Sequence, residues 1–507
     1  MRFSELLADL ALRGVRSRRL TAAELDPEIS EVSQDSRSVT PGALFVAIPG
    51  MRVDAHDLVA DAGGAGASAF LLQREVPLPP GCAAAIVDDT RFALGLAAAG
   101  LFGHPTEEMT VVGVTGTDGK TTTCLLTVEA LRACGVAAGG MNSLEFRSLD
   151  EIEPNPTYLT TLDAPVIQAR MRRLVDGGVN TAVLETTSHG IALHRVAGVA
   201  FDIAAYTNLT HEHLDFHGSL EAYRDVKLQL AELARQSPRK PGVAKAIVYN
   251  ADEPAWGPLA HSPTDRRVTY GLAPGADLWP ADIQPRIGGV SFRAEGVGGG
   301  IPVRLPLTGR FNVANALCAL GICHALGLSL EEAAEGLARA QGLRGRMQVL
   351  ELGQPFAVVI DYAHTPDGLE QVLRELRPLT DRRLLVVFGA PGDRDATKRP
   401  LMGAAVARAA DEFVITADDP RQESIETISA AVAEGAAAEG RAQGRDFRLI
   451  PDRREAIRDI IGRAQPGDTV LLAGKGHEDR LLIGDQVLPW DEAAEATAAV
   501  EALRVTG

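Results

Sequence analysis

The run MTVVGVTGTDGKTTT, residues 109–123, restricts what this chain can fold into more than any other feature. An apolar strand-like segment delivers a glycine-rich turn that opens onto a lysine and three threonines. Such a turn is useful when it leads into a helix, because backbone N–H groups then converge on an anion at the helix N-terminus. The spacing departs from the common phosphate loop G-x-x-x-x-G-K-[ST], which needs glycine at 114, where Val114 stands; the glycines are Gly113, Gly116 and Gly119. The physical requirements still hold. Lys120 supplies a point charge, Thr121 can ligate Mg²⁺ at the helix start, and Asp118 is expected to point away from the anion.

The same strand-then-polar pattern recurs at VNTAVLETTSHG, FDIAAYTNL and AKAIVYNADE, and later at FAVVIDYAH, RLLVVFGAPGD, EFVITADDP and DTVLLAGKGHED. Strands alternating with helices predict an α/β fold with mostly parallel sheets covered on both faces and ligands at the strands' carboxyl ends. At 507 residues the chain is too long for one core, and a prior of about 150 residues per domain suggests three. The turn-rich FGHPTEE and the segment LRGRM mark the boundaries. The expected domains are 1–107, with short β-like runs (ALFVAI, SAFLL, AAAIV); 108–343, of phosphate-loop type; and 344–507, Rossmann-like. Between Arg266 and Thr308 the helical signal gives way to short strands with Pro and Gly turns, read as an antiparallel insertion, before helices resume at NVANALCALGICHALG and LEEAAEGLARA.

A formal charge of −17 argues against nucleic acid or an anionic membrane as partner, while leaving room for local anion sites. The five cysteines form no C-x-x-C pair and read as buried free thiols of a reducing compartment. The amino terminus alternates charge and leucine like an amphipathic helix, and no apolar run reaches membrane-spanning length, so a soluble cytoplasmic protein is expected.

Two further segments carry chemistry. Glu185 falls where an apolar strand should end, and a carboxylate there can hold a metal ion beside the phosphate. The segment NLTHEHLDFHGSLEAYRDVKLQL packs three histidines into seven residues, but zinc-protease H-E-x-x-H would need histidine at 215, which is Asp215. If Ser219 caps a helix, Leu220, Tyr223, Leu230, Ala231 and Ala234 share one face, and Lys227 projects from its middle. A lysine there must snorkel, pair, or change its chemistry, since an isolated buried ammonium is costly.

The loop G-x-x-G-T-x-G-K-T, ETTSHG, NLTHEHLDFHGSLEAYRDVK, GRFNVANA, VVIDYAHTPDGL, FGAPGDRDATKRP, TADDPR and GKGHED, in this order across most of the chain, resemble the Mur ligases. The likeness is strongest to members that add the third, diamino acid to UDP-N-acetylmuramoyl-L-alanyl-D-glutamate. It implies that ATP phosphorylates the free carboxylate of D-glutamate and that an incoming amine captures the acyl phosphate, in peptidoglycan precursor synthesis. It further implies that Gly113, Gly116, Thr117, Gly119, Lys120, Thr121 and Thr122 cradle ATP, together with Asn208, Asn312, Arg346, Asp361 and His364. Thr121 and Glu185 would ligate a first Mg²⁺ and His213 a second, and Lys227 matches the family's carbamylated (N6-carboxy) lysine. Asp35, Ser36 and His56 would lie near the UDP nucleotide, and Thr160, Thr161, Ser188 and Arg195 would hold the muramoyl peptide.

Arg394, Asp419, Arg421, Gly474 and Glu478 match the family's diamino-acid site. Diaminopimelate-adding members typically read D-N-P-R, where this chain reads Asp418-Asp419-Pro420-Arg421. Arg421 could pair with a distal carboxylate, favouring diaminopimelate, whereas Asp419 could welcome a distal ammonium, as in lysine or ornithine. The expectation leans to meso-diaminopimelate. Leu162, where proline is frequent, is a further departure. The rival readings are a folylpolyglutamate synthetase-like ligase, disfavoured by the UDP-domain resemblance, and a catalytically silent nucleotide-binding regulator, disfavoured by Lys120, Glu185, His213 and Lys227. The remaining expectation is a monomer acting on small-molecule substrates.

Overall fold

The computed structural model describes residues 1–50, 53–157, 159–210, 212–340, 342 and 344–506. It divides into two compact units, one of residues 1–281, 294–302 and 314–337, the other of 282–293, 303–313 and 338–507. Among the described residues no helix is long and apolar enough to cross a membrane.

The first unit begins with helix Phe3–Leu12, whose Phe3, Leu6 and Leu10 are buried, and a five-stranded sheet in the order Ser17–Arg19, Ala83–Val87, Ala69–Leu72, Ala43–Val46, Glu31–Ser33. Only Ser17–Arg19 is antiparallel. Helix Thr90–Leu101 and the 3₁₀ turn Pro105–Glu107 lead from this sheet to the next. The second sheet carries a parallel run in the order Ala246–Asn250, Ile203–Tyr206, Thr110–Thr115, Thr181–Glu185, Ala138–Met141. Its central strands are buried along nearly their whole length, as strands covered by helices on both faces must be.

The stretch read as an antiparallel insertion departs from that reading at Arg266–Tyr270, which is parallel to both its neighbours, meeting strand Leu278–Arg286 at Tyr270 and Leu278. Arg266–Tyr270 pairs in parallel with Ala246–Asn250. The 3₁₀ helix Pro254–His261 between them provides the crossover that parallel neighbours require. Strands Leu278–Arg286, Gly289–Gly296 and Ile301–Leu305 and helices Phe311–Ala325 and Leu330–Arg339 follow.

The second unit is built on a six-stranded sheet in the order Gln348–Val349, Ala357–Asp361, Thr469–Ala473, Leu384–Phe388, Glu412–Ile415, Phe447–Leu449. It is parallel except for the short first strand. Its two faces are closed by separate apolar clusters, one around Leu373, Met402 and Val432, the other around Ile457, Ile460 and Val500.

Candidate active site

Strand Thr110–Thr115 ends in the loop 116–119, and helix Lys120–Ala133 starts directly behind it. Gly116 has φ +147°, and a Cβ there would stand 1.8 Å from Thr207 Oγ1, so only glycine fits. Gly119, at φ +78°, is the helix N-cap and presses on Asn315, which the sequence did not single out. The loop is tied to the neighbouring strand end: Asn208 O accepts from Thr117 N at 2.8 Å, and Asn208 Oδ1 accepts from Asp118 N at 2.8 Å. Lys120 Nζ donates to Thr117 O at 2.6 Å. Thr122 follows in the first turn of the helix, half-buried, and Gly113 lies in the strand against Phe201 and Leu230.

Glu185 terminates strand Thr181–Glu185, paired with Val114, and is 2% exposed. Both its carboxylate oxygens accept from Thr121 Oγ1 at 3.0 Å, and Oε2 also accepts from Ser143 N at 2.9 Å. Ser143 Oγ lies 2.9 Å from Thr121 Oγ1. The arrangement is a knot of hard oxygen donors at the foot of the phosphate loop, which suits Mg²⁺. Among the described residues no three His, Cys, Asp or Glu converge tightly enough to hold a metal. A cation here would therefore complete its shell with phosphate oxygens and water, as Mg²⁺ commonly does.

Helix Leu220–Gln236 is capped by Ser219, whose Oγ accepts from Ala222 N, and it buries Tyr223, Lys227, Leu230, Ala231 and Ala234. Lys227 is 1% exposed. Its Nζ donates to Gly116 O at 2.6 Å and lies 4.4 Å from the centre of the Tyr223 ring. Burial, and then repulsion from Lys120, hold its pKa well below the ordinary lysine range, against the weaker pull of Glu212, Asp118 and Glu185. His213, with φ +56°, is exposed; its ring sits 4.7 Å from that of His189, and Nε2 is 3.6 Å from Glu212. His211 lies outside the described residues.

Glu185 also connects this site to the residues matched to the muramoyl peptide. Its carbonyl accepts from Thr161 Oγ1 at 3.1 Å, Thr161 O accepts from Arg195 Nη1 at 3.1 Å, and Arg195 Nε reaches Asp163 at 3.2 Å. Thr160 is half-buried beside them, and buried Ser188 has its Oγ 3.0 Å from His217 Nε2. Leu162 is buried and needs no proline. Arg195 lines a cleft of about 180 Å³ with Gln34, Arg91, Asp163 and His194. Next to Gln34, Asp35 is held below the usual carboxylate range by its bonds to Arg37, and Ser36 is half-buried. His56 is buried with both ring nitrogens engaged, Nε2 accepting from Gln73 N and Nδ1 facing Asp54 at 2.6 Å.

The remaining residues belong to the second unit. Asn312 Nδ2 donates to Thr308 O at 2.8 Å. Buried Asp361 accepts from Met347 N at 2.7 Å and Ala363 N at 2.8 Å, and burial pushes its pKa up. His364 Nδ1 is 2.9 Å from Tyr362 O, and the Arg346 guanidinium lies 5.0 Å from the centre of the Tyr362 ring.

At the diamino-acid positions, Asp419 (φ +47°) and Arg421 (φ +54°) bracket Pro420 in a strained turn. Asp419 Oδ1 accepts from Lys475 Nζ at 2.8 Å and from Leu482 N at 2.9 Å. Lys475 also pairs with Glu478, whose other oxygen is 3.4 Å from Tyr362 OH. Gly474, at φ +112°, lets Asp418 approach; a Cβ there would stand 2.4 Å from Asp418 Oδ2. That oxygen and Arg421 Nε are buried side-chain atoms with no hydrogen-bond partner. Burial drives the Asp418 carboxyl pKa up, against Arg453 and Lys475. Arg394 is exposed. Sequence reading passed over Ser143, Asn315 and Lys475.

Three family models cover the chain: Mur ligase family, catalytic domain, over 28–100; Mur ligase middle domain over 114–323; and Mur ligase, glutamate ligase domain, over 345–476. The UDP-N-acetylmuramyl-tripeptide synthetase of Roseiflexus sp. is 43% identical, over 95% of this chain and 96% of its own. The UDP-N-acetylmuramoyl-L-alanyl-D-glutamate--2,6-diaminopimelate ligase of Geobacillus thermodenitrificans is 40% identical, over 94% and 96%. A solved structure of a UDP-N-acetylmuramoyl-L-alanyl-D-glutamate--2,6-diaminopimelate ligase superposes with a TM-score of 0.70 at 32% identity, covering 94% of this chain and 95% of that one. With identity at this level sustained from end to end, the chain belongs to the Mur ligase family.

Proposed function

We propose that the protein adds meso-diaminopimelate to UDP-N-acetylmuramoyl-L-alanyl-D-glutamate, forming ADP and inorganic phosphate. Mur ligases are ATP-dependent amide-forming enzymes of peptidoglycan precursor synthesis, and the relatives named above form the tripeptide. In this reading the domains are 1–107, 108–343 and 344–507, and the enzyme works as a cytoplasmic monomer on small molecules.

A carboxylate is a poor electrophile at neutral pH. In the reaction, an oxygen of the D-glutamate side-chain carboxylate attacks the γ-phosphorus of ATP and ADP leaves. The amine nitrogen then attacks the acyl carbon, phosphate departs with the C–O electron pair, and the ammonium product loses a proton. Lys120 and the loop N–H groups bind the phosphates, with Asn208 fixing the loop, while Thr161, Ser188 and Arg195 orient the acceptor. Thr121 and Glu185 would hold a first Mg²⁺ and His213 a second, which when bound offset charge between nucleotide and acceptor. Lys227, carrying a depressed pKa, presents a neutral amine able to take up CO₂: an N–C bond forms, a proton leaves, and the buried cation becomes an anion suited to the metal site. Asn312, Arg346, Asp361 and His364 serve ATP. Asp35 and Ser36 lie on the nucleotide side, where His56, its ring already engaged, holds the loop.

The observation that carries the choice of amine is the pair of unpartnered atoms around Asp419: an acid oxygen on Asp418 and a guanidinium nitrogen on Arg421, three residues apart. The distal end of diaminopimelate offers both an ammonium and a carboxylate. Lysine and ornithine offer only the ammonium. Asp419, which could have argued for those amines, is already paired with Lys475.

The test is phosphate release and tripeptide formation with ATP, Mg²⁺ and the UDP-muramoyl dipeptide, using diaminopimelate, L-lysine and L-ornithine in turn. A higher kcat/KM for diaminopimelate is expected. Turnover favouring lysine or ornithine reverses the choice of amine, and no amine-dependent turnover leaves the regulator reading standing.

A further inference from the structure

Lys475 has no exposed side-chain surface, yet it lies between two acids of the amino-acid site. It occupies the centre of Gly474-Lys475-Gly476, directly after strand Thr469–Ala473, and both flanking glycines have positive φ. The chain is thereby bent so that the lysine points inward at the end of a central strand, where an ordinary residue would begin a loop. Nζ donates to Asp419 Oδ1 at 2.8 Å and pairs with Glu478, which is further fixed by its N–H bond to Lys475 O at 2.8 Å. A desolvated ammonium placed this way is not a surface pair of negligible worth; removing it would leave the acids around it uncompensated in a site screened little by solvent. Nearby, Arg453, also fully buried, is paired directly with Glu492 and reaches Asp419 only through a longer-range charge interaction, whereas Lys475 bonds to it.

We propose that Lys475 is a specificity-determining positioning residue: a built-in ammonium that neutralises Asp419 and Glu478 and so keeps the pocket from favouring amino acids whose distal end is purely cationic. This rests on the reading of these residues as the diamino-acid site. The distal end of diaminopimelate is a zwitterion of zero net charge, while that of lysine or ornithine carries +1. Removing one positive charge from the pocket must therefore help lysine and ornithine relative to diaminopimelate, and removing one negative charge must do the opposite. The ratio between amines moves in these directions whichever of them the unaltered protein prefers.

The experiment measures kcat and KM for diaminopimelate, L-lysine and L-ornithine at saturating ATP and UDP-muramoyl dipeptide in the unaltered protein, Lys475→Met, Asp419→Asn and the double variant. Lys475→Met should shift the kcat/KM ratio toward lysine and ornithine about tenfold, mainly through KM of the amine, with KM for ATP changed less than twofold. Asp419→Asn should shift it toward diaminopimelate. The double variant, which leaves no unpaired acid at 419 and so protects against misfolding of the single lysine variant, should return to within about threefold of the unaltered ratio. Equal loss with all three amines, or a double variant displaced as far as the lysine variant, would mean that Lys475 merely supports the fold and overturns the proposal. Failure of the unaltered protein to turn over any of the amines overturns both this and the functional reading beneath it, whereas turnover with unmoved ratios overturns this one alone.

Discussion

Lys120 and Lys227 donate at 2.6 Å to adjacent carbonyls of one loop, Thr117 O and Gly116 O. Two ammonium groups so placed repel each other, and the buried one is the less able to stay charged. The loop thus binds Lys120 at one carbonyl and, at the next, an amine that burial and this neighbour drive toward neutrality. Under the proposed function, that asymmetry suits Lys227 to carbamylation and leaves Lys120 to meet the phosphate.

Lys227→Ala should abolish ligase turnover and regain part of it with added formate or acetate, small anions able to stand in for a carbamate. Activity of the unaltered protein should fall in CO₂-depleted buffer and return with bicarbonate. A variant active without added anions would remove the carbamate from the reaction.

The same lysine gives a pH dependence of stability. Its folded pKa is depressed, so between that value and the ordinary lysine value the unfolded chain binds more protons than the folded one. Stability therefore rises with pH across this window, and below it the burial penalty is fully present. Lys227→Met, in CO₂-free buffer, should flatten this slope and raise the melting temperature at neutral pH. A variant with an unchanged slope would show that Lys227 does not titrate abnormally.

Gly116→Ala places a methyl 1.8 Å from Thr207 Oγ1 at φ +147°. The expected loss is more than about 2 kcal/mol of stability, with nucleotide affinity falling alongside. Adding Thr207→Ala should recover part of the stability by removing the clash while leaving the backbone strain. Denaturant titration of the three variants measures both components.

Much of this was legible in the sequence, and for definite reasons. Glu185 and Asn208 stand where apolar runs give way to polar residues, which in a parallel sheet is the ligand end of the strands. Lys227 could be found because it breaks a helical apolar stripe, and Tyr223, Leu230, Ala231 and Ala234 are indeed buried with it. Ser143 could not, since the strand before it, Ala138–Met141, reads AGGM and has little apolar side chain to reveal it. Its glycines are dictated by neighbours: a Cβ on Gly139 would stand 2.6 Å from Arg147 O, and one on Gly140 2.9 Å from Val183 O. The parallel pairing of Arg266–Tyr270 was hidden by a crossover made from a short 3₁₀ helix rather than an α-helix. Lys475 stands between two glycines after a strand, a setting with no pattern that reveals its burial, and its inward direction comes from the backbone on either side.

Glu185→Gln tests the oxygen cluster. The amide keeps the size of the side chain and can still accept from Thr121 Oγ1 or Ser143 N, but it loses the charge that would hold Mg²⁺. Metal charge stabilisation is worth several kcal/mol, so kcat should fall by about 100-fold or more, with the Mg²⁺ concentration for half-maximal rate raised. Melting temperature should change little. A fall in stability that accounts for the lost activity would make Glu185 a structural residue only.

Arg453 and Glu492 belong to the frame rather than to the chemistry. Both side chains are fully buried; Arg453 Nε reaches both Glu492 oxygens at 3.0–3.1 Å, and Nη2 donates to Glu492 Oε1 at 2.6 Å and to Ala473 O at 2.7 Å. Ala473 ends the strand that leads into Gly474 and Lys475, so this arginine pins the strand end that carries the proposed amino-acid site. Arg453→Leu leaves a buried carboxylate without its partner, and a loss of about 3–5 kcal/mol is expected in denaturant unfolding of the second unit's transition. Arg453→Leu with Glu492→Leu removes both charges and should recover most of that loss, because the cost lies in the stranded charge and not in the missing pair. Since Ala473 O would still lack its donor, the double variant should retain a weakened affinity for the amino acid even where its stability returns, and full recovery of both would show that the arginine's bond to the strand end does not help to shape the site.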